Sequence, residues 1–279
     1  MSLAVVTKKE FQDAIRSYTL YGLITLFVAM TAFWAAIHWI PEMADPVNGN
    51  LDTIALLNSM RQPAIYLIPM VSIVVGHKAI AAERESGSIR LLLSLPHTRQ
   101  DVVVGKVLGQ TAVVAAAIIL GYVAAGSIAF LTYDSFAFVI FGKYLILSVL
   151  YALVCLSIAV AVSASARQIE RAFAGAVGLY LVLLVLWDTI VAGLIVVFVG
   201  WSPQPGEIPD WLTVLHSLNP STAFAQATRA VIPVTREITT FPTLESSIWM
   251  EWYGFIVLGL WIVIPVGLSY LLFERADIQ

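Results

Sequence analysis

Six long apolar runs divide this 279-residue chain, and each is long enough to cross a lipid bilayer. A helix needs about 20 apolar residues to span a hydrocarbon core of about 30 Å. The chain is 59% hydrophobic and 12% charged, whereas soluble domains carry about 25% charged residues. Because so little polar surface cannot cover a water-soluble globule, we predict an all-α polytopic membrane protein. The predicted transmembrane helices are 18–40, 63–82, 102–131, 138–163, 173–199 and 249–273.

The distribution of positive charge predicts the orientation. Four of the fifteen Lys and Arg residues lie in predicted external segments, namely Arg61, Lys143, Arg229 and Arg236, and the remaining eleven lie in cytoplasmic ones. Cytoplasmic loops carry the excess of positive charge in membrane proteins. We therefore expect a multi-pass protein of the plasma membrane with both termini in the cytoplasm. No internal repeat is evident, so residues 1–279 are predicted to form one transmembrane domain.

The cytoplasmic segment between the second and third spans has a pattern of its own. Gly87 can end the helix that leaves the membrane, because glycine tolerates the left-handed conformation found there. Ser88 can cap a short helix that must stop before Pro96. The apolar face of that helix consists of Ile89, Leu92, Leu93 and Leu95. It predicts either a membrane-surface helix that closes the loop or a docking helix that inserts into a groove on a soluble partner.

This segment has the pattern Glu83-Arg84-Glu85-x-Gly87-Ser88-Ile89-x-x-Leu92-Leu93-x-Leu95-Pro96-x-x-Arg99, followed by Gly105-Lys106. The pattern resembles the cytoplasmic loop of type-2 ABC permeases, the membrane subunits of ATP-binding-cassette exporters. In that family the loop carries a coupling helix that sits in a cleft of the ATPase subunit. The resemblance extends to an amphipathic elbow helix at 7–18 and a long external helical segment at 200–248. The Leu-Asn-Pro step at 218–220 resembles the permeases of nitrous-oxide-reductase maturation systems.

This resemblance implies a set of residues that couple the ATPase to the membrane: Glu83, Arg84, Glu85, Gly87, Ser88, Ile89, Leu91, Leu92, Leu93, Leu95, Pro96 and Arg99. It also implies a second permease, either the same chain in a homodimer or a paralogue. The segment 200–248 is expected to cap the outer mouth or to meet an extracytoplasmic partner. Gly105-x-x-x-Gly109 matches a close-packing pattern, which we interpret as a contact within the chain.

No G-x-x-x-x-G-K-[ST] phosphate loop occurs in the sequence. The chain therefore cannot supply a nucleotide site, and we expect neither a cofactor nor an enzymatic activity in it. ATP and Mg²⁺ are expected in a separate ABC ATP-binding subunit. The net charge of −3 does not indicate nucleic acid as a partner.

Asp188 is the carboxylate that lies well inside an apolar run. Charge within a membrane is costly and marks a pathway or a buried pair. We interpret Asp188 as a pathway candidate, since the resemblance places the fifth span at the dimer interface. The alternative is a carboxylate near a helix bend that is protonated, or that is bonded to Thr189 or to a neighbouring helix.

Two other classes of protein remain open at this stage. A secondary transporter or channel driven by an ion gradient needs intramembrane ionisable residues and often broken helices. A membrane scaffold of a multi-subunit enzyme would not transport at all. The four histidines fall in different segments on both sides of the membrane, so they are not expected to form one metal site.

Overall fold

A computed structural model describes residues 3–37, 52–87, 99–201, 207–236 and 248–276. Within these ranges the chain forms helices and connecting turns, with no β-strand. The helices are α1 (Leu3–Ile15), α2 (Tyr18–Ala36), α3 (Thr53–Gly76), α4 (Ala81–Glu85), α5 (Arg99–Thr132), α6 (Phe138–Ser165), α7 (Ile169–Leu181), α8 (Trp187–Phe198), α9 (Asp210–Ser217), α10 (Pro220–Val231) and α11 (Ile248–Ala276). A π-helix, Val182–Leu186, joins α7 to α8, and a 3₁₀-helix, Pro233–Arg236, follows α10.

Five stretches are long and apolar enough to cross a membrane: Thr53–Glu85, Gln100–Thr132, Phe138–Ser165, Ile169–Phe198 and Glu251–Leu272. They correspond to the second to sixth predicted spans, and the chain is therefore a multi-pass membrane protein. The first predicted span contains the shorter apolar helix Leu20–Ala36, and its last residues lie outside the described ranges. Below, the end of the bundle that the charge pattern predicts to face the cytoplasm is the inner end, and the opposite end is the outer end.

The second span begins earlier than the hydropathy pattern predicts, at Thr53 instead of residue 63. The side chain of Asp52 caps α3 by accepting hydrogen bonds from the backbone N–H groups of Ile54 and Ala55, both at 2.9 Å. The helix also continues through Pro63 and Pro69, which are both buried. Proline removes a helical hydrogen bond, and such a loss is tolerated where neighbouring helices pack closely around the chain.

Aromatic rings fill the centre of the bundle. The ring of Tyr122 stacks on those of Phe27 and Tyr144, with centroids 6.2 and 5.9 Å apart. The Tyr122 hydroxyl lies 2.9 Å from the Ser148 Oγ. These contacts join α2, α5 and α6 and satisfy a polar group that burial would otherwise penalise.

Helix α1 packs against the inner end of α5 at two glycines. A Cβ atom on Gly105 would lie 2.8 Å from the Val6 side chain. One on Gly109 would lie 2.7 Å from Glu10 Cβ and 2.9 Å from the Thr7 carbonyl oxygen. The Gly105-x-x-x-Gly109 pattern therefore serves a contact within the chain, as the sequence indicates.

The substitution Gly109→Ala tests this contact. We expect it to lower the free energy of unfolding by about 1–3 kcal/mol, the usual effect of overpacking, because a backbone carbonyl cannot move aside as a flexible side chain can. The matched control is Gly142→Ala in α6, where a Cβ would meet nothing within 4 Å. Thermal unfolding in detergent measures both, and equal midpoints for the two variants would contradict the close contact.

The fifth span lies on the outside of the bundle. Only 6% of the most apolar 18-residue stretch of this span is buried. The corresponding share is 50–67% in the second, third and fourth spans. The π-helix sits at its middle, directly before α8. Most of this span's apolar surface is thus left for lipid or for another protein.

The segment between the fifth and sixth spans enters the bundle as a helical hairpin formed by α9 and α10. At its tip the backbone carbonyl of Leu218 accepts a hydrogen bond of 2.8 Å from Trp261 Nε1, in the middle of α11. The next side chain, Asn219, donates to the carbonyl of Leu183 at the middle of the fifth span. At the outer end, Lys143 Nζ lies 3.4 Å from the carbonyl oxygen of Val231, the last residue of α10.

The described part of this segment therefore reaches the middle of the membrane-spanning helices. The expectation that segment 200–248 caps the outer mouth or meets an extracytoplasmic partner stays a prediction. The buried face of α10 explains the position of the hairpin. On this face the Phe224 ring stacks on the Tyr151 ring of α6, with centroids 4.8 Å apart. Irregular backbone at this depth is tolerated because protein surrounds it.

Candidate functional site

The inner end of α3 is held by one hydroxyl group. After Gly76 the chain turns and enters the short helix α4. Ser163 Oγ, at the end of α6, accepts hydrogen bonds of 3.0 Å from the backbone N–H groups of Ile80 and Ala81 and donates one of 2.7 Å to the His77 carbonyl. This buried serine fixes the direction in which α4 leaves the membrane-spanning part.

Glu83 of α4 belongs to a buried ion cluster. Lys106 Nζ of α5 lies 2.7 Å from Glu83 Oε1 and 2.8 Å from Glu10 Oε1 of α1. The Lys106 side chain is 3% exposed, and the two carboxylate side chains are 15–16% exposed. One ammonium group is thus shared by two carboxylates in a largely dry environment, so removing Lys106 would leave both carboxylates without a counter-charge.

Arg84 contacts the ends of two other helices. Its Nη1 donates to the carbonyls of Ala164 and Ala166, at the end of α6, and its Nη2 donates to that of Leu272 in α11, at 3.3 Å. The last carbonyls of a helix have no partner within the helix and carry partial negative charge. The guanidinium group satisfies them and ties α4 to α6 and α11.

Glu85 caps the start of the fifth span. Its Oε2 accepts a 2.9 Å hydrogen bond from the backbone N–H of Ile169, the first residue of α7. Gln168, at the N-cap position, makes no side-chain capping bond. A carboxylate at a helix N-terminus is stabilised by the free N–H groups and by the helix dipole.

Gly87 ends this part of the chain, with a φ of +73° that favours glycine. This confirms the predicted left-handed position. We call the group formed by Glu10, Glu83, Arg84, Glu85 and Lys106 the inner hub.

The structure thus brings together the first predicted coupling residues, Glu83, Arg84 and Glu85, and shows Gly87 beside them. The others lie outside the described residues: Ser88, Ile89, Leu91, Leu92, Leu93, Leu95, Pro96 and the side chain of Arg99. The predicted docking helix therefore stays a prediction.

Sequence reasoning missed Lys106, Glu10 and Ser163 as members of the site. The signal for Lys106 was available, because it is a lone lysine inside the third predicted span, 102–131, and such residues are usually paired. Lys106 was counted in the charge pattern and in the motif that resembles type-2 ABC permeases, but not among the coupling residues. Nothing local in the sequence indicated the roles of Glu10 and Ser163.

Asp188 lies apart from the inner hub, just after the π-helix of the fifth span. Its Oδ1 is 3.4 Å from Nε2 of His216 in α9, and its side chain is 58% exposed. The interpretation of a carboxylate near a helix irregularity and beside a neighbouring helix agrees with this position, and its pathway role stays a prediction. Among the described residues, no group of three or more His, Cys, Asp or Glu side chains could hold a metal ion.

A bundle of long apolar helices, with a charged cluster at the base of one connecting segment, defines a multi-pass membrane protein. A family model described as ABC-2 family transporter protein matches residues 4–278, and the chain belongs to this family. It is 27% identical over 283 aligned positions to the probable ABC transporter permease protein NosY of Pseudomonas aeruginosa, with 98% of each chain covered. The protein of the same name from Stutzerimonas stutzeri is 25% identical over 282 positions, with 97% of each chain covered. The resemblance read from the sequence is confirmed.

Proposed function

We propose that this chain is the permease subunit of an ATP-driven exporter. A separate ATPase subunit, which binds ATP and Mg²⁺, docks on segment 88–98, and its movement reaches the spans through Glu83, Arg84 and Glu85. The observation that carries this proposal is the inner hub, where three consecutive residues bond to four other helices. The permease names of the two relatives support it.

The contacts of the inner hub explain how a push on segment 88–98 is transmitted. Helix α4 cannot shift without breaking the buried ion cluster, and breaking such a pair costs about 3–5 kcal/mol. It therefore moves together with α5 through Lys106 and with the fifth span through Glu85. Gly87 lies between this rigid part and the docking segment.

The proposal includes six spans, with α2 as the first, and both termini in the cytoplasm of a plasma-membrane protein. Six is an even number, so the two termini lie on the same side. Because Lys and Arg residues are in excess at the inner end, this end is assigned to the cytoplasmic side of the membrane.

A second permease covers the exposed face of the fifth span. A charged side chain facing lipid near the middle of a membrane costs at least about 2.5–3.5 kcal/mol, and Asp188 is 58% exposed in the single chain. A second copy packed on this face removes Asp188 from lipid and places it beside a transport pathway between the two subunits.

The double variant Leu92→Asp/Leu93→Asp tests the docking segment. Tagged full-length chain is purified from its host in detergent, copurifying proteins are identified, and ATP hydrolysis is assayed. We expect a P-loop ATPase to copurify with the wild-type chain and to be lost from the variant, because two charges disrupt the apolar face. The control is Gln100→Asp, which places a negative charge on an exposed residue of α5.

A folded wild-type chain that purifies with no ATPase would refute the exporter and favour a gradient-driven transporter or a scaffold. Equal ATPase recovery with the double variant and the control would refute docking on this segment.

A further inference from the structure

The fifth span faces a break in the hydrogen bonding of α3. Pro69 has no N–H group, so it cannot donate the usual helical hydrogen bond to the carbonyl of Ile65. The hydroxyl of Tyr180, in the last turn of α7, lies 3.4 Å from this carbonyl and donates a hydrogen bond of 2.8 Å to the carbonyl of Tyr66. A side chain of the fifth span thus compensates for the proline and ties the end of α7 to α3.

The fifth span changes its own hydrogen-bond pattern directly after α7. In the π-helix Val182–Leu186 the N–H group of Trp187 donates to the carbonyl of Val182, five residues earlier. A regular α-helix uses the carbonyl four residues earlier, and short π-segments inside helices are rare and frequent at functional sites. The Leu183 carbonyl, within this segment, accepts its hydrogen bond from Asn219 at the tip of the α9–α10 hairpin. The irregular turn is therefore held from outside the span.

A cavity of about 30 Å³ lies between the broken helix and the π-helix. It is lined by Pro69, Tyr180, Leu183 and Asn219 together with mostly apolar neighbours. This volume has room for a water molecule and is far too small for a substrate. Side chains around such a void lack packing partners on one side, so the fifth span can shift here with few contacts to break.

The two halves of the fifth span are attached to different parts of the protein. The inner half, α7, begins at the Glu85 cap of the inner hub and ends at the contact of Tyr180 with α3. The outer half, α8, packs on α9 of the hairpin. Between these two helices the ring centroids of Phe198 and Trp211 are 5.4 Å apart, and the Asp188 carboxylate also lies beside α9.

We propose that the π-helix Val182–Leu186 is a hinge at which the fifth span bends. Helix α7 moves with α3 and the inner hub, while α8 stays with the α9–α10 hairpin. Sharp helix bends occur at π-segments, and the cavity gives this bend room. The hinge deepens the proposed function, on which it rests for the source of the movement. A push on segment 88–98 changes the angle between α7 and α8, and so changes the face that the fifth span presents.

Distances between spin labels test the hinge in the full-length chain. Cysteines are introduced at the exposed positions Ala174 of α7 and Val197 of α8, in a Cys155→Ala background. The matched pair is Leu108 and Leu131, which are also exposed and also 23 positions apart, but lie on the single helix α5. A regular helix separates such positions by about 34 Å. Labelled chain is diluted with unlabelled chain in nanodiscs, so that each distance is measured within one copy.

We expect the distance distribution of the hinge pair to be about twofold wider than that of the α5 pair, because the hinge samples bent and straight forms. Tyr180→Phe removes the hydroxyl that ties α7 to α3 and should widen it further. Tyr21→Phe alters an exposed tyrosine of α2 and should leave it unchanged. When ATP is added to the complex with a copurified ATPase, the mean distance of the hinge pair should change and that of the α5 pair should stay constant.

Equal widths for the hinge pair and the α5 pair in the chain alone overturn the hinge, whether or not an ATPase copurifies. A wide hinge distribution in a chain that purifies with no ATPase supports the hinge and refutes the exporter. In the complex, ATP hydrolysis without a change at the hinge pair overturns the role of the hinge in transmission. Equal widths for wild type and Tyr180→Phe overturn the coupling of α7 to α3.

Discussion

Replacing Lys106 by methionine should lower the unfolding temperature of the chain by roughly 10 °C. The Lys106 side chain is 3% exposed and forms ion pairs with both Glu10 and Glu83. Without it, two largely buried carboxylates face each other with no cation between them. Removing one partner of a buried pair costs about 3–5 kcal/mol, and each kcal/mol shifts the midpoint of a chain of this size by about 2–4 °C.

The control for this result is Lys78→Met, which removes an exposed lysine from the same end of the bundle and should shift the midpoint little. The double variant Lys106→Met/Glu83→Gln should recover part of the loss, because only one buried carboxylate then remains charged. Midpoints that coincide for Lys106→Met and Lys78→Met would show that the ion cluster does not hold the inner hub together.

Replacing Asn219 by alanine should detach the tip of the α9–α10 hairpin from the fifth span. Asn219 is 1% exposed, donates to the Leu183 carbonyl and accepts hydrogen bonds from Ser221 N at 2.9 Å and Ser221 Oγ at 2.7 Å. The alanine loses the helix cap, worth about 1 kcal/mol, and a buried hydrogen bond, worth about 1–3 kcal/mol. We therefore expect about 2–4 kcal/mol of destabilisation in a thermal unfolding series.

Two variants separate these contributions. Ser221→Ala removes only the hydroxyl contact, so it should cost the least. Asn219→Asp keeps the capping oxygen but cannot donate to the Leu183 carbonyl, and it brings a negative charge to that oxygen. A stability of Asn219→Ala equal to that of Ser221→Ala would mean that the bond to the fifth span contributes nothing.

The features that sequence predicted well are those that depend on local chemistry. Apolar runs of about 20 residues form membrane-spanning helices because apolar side chains are stable in the hydrocarbon core of the bilayer. Gly87 adopts a left-handed conformation because few other residues do so without strain. Glu83, Arg84 and Glu85 could be assigned to a site because they belong to a compact motif that resembles a known family.

The boundary of the second span shows where local reasoning failed. Asn58 and Arg61 lower the hydropathy of the first turns of α3, so the pattern predicted a loop. Both residues line a cavity between helices, and Arg61 is partly buried there, so the helix can include them. Hydropathy depends on the composition of a segment. It does not show which neighbouring helix packs against each face of that segment.

The sequence by itself determined a helical membrane protein, its approximate spans and its family. Only the tertiary structure decided that Lys106 pairs with Glu10, 96 positions away, and that the α9–α10 hairpin enters the bundle. The physical reason is that these arrangements arise from contacts between distant segments. Such contacts satisfy buried charges and carbonyls in three dimensions and leave no periodic trace along the chain.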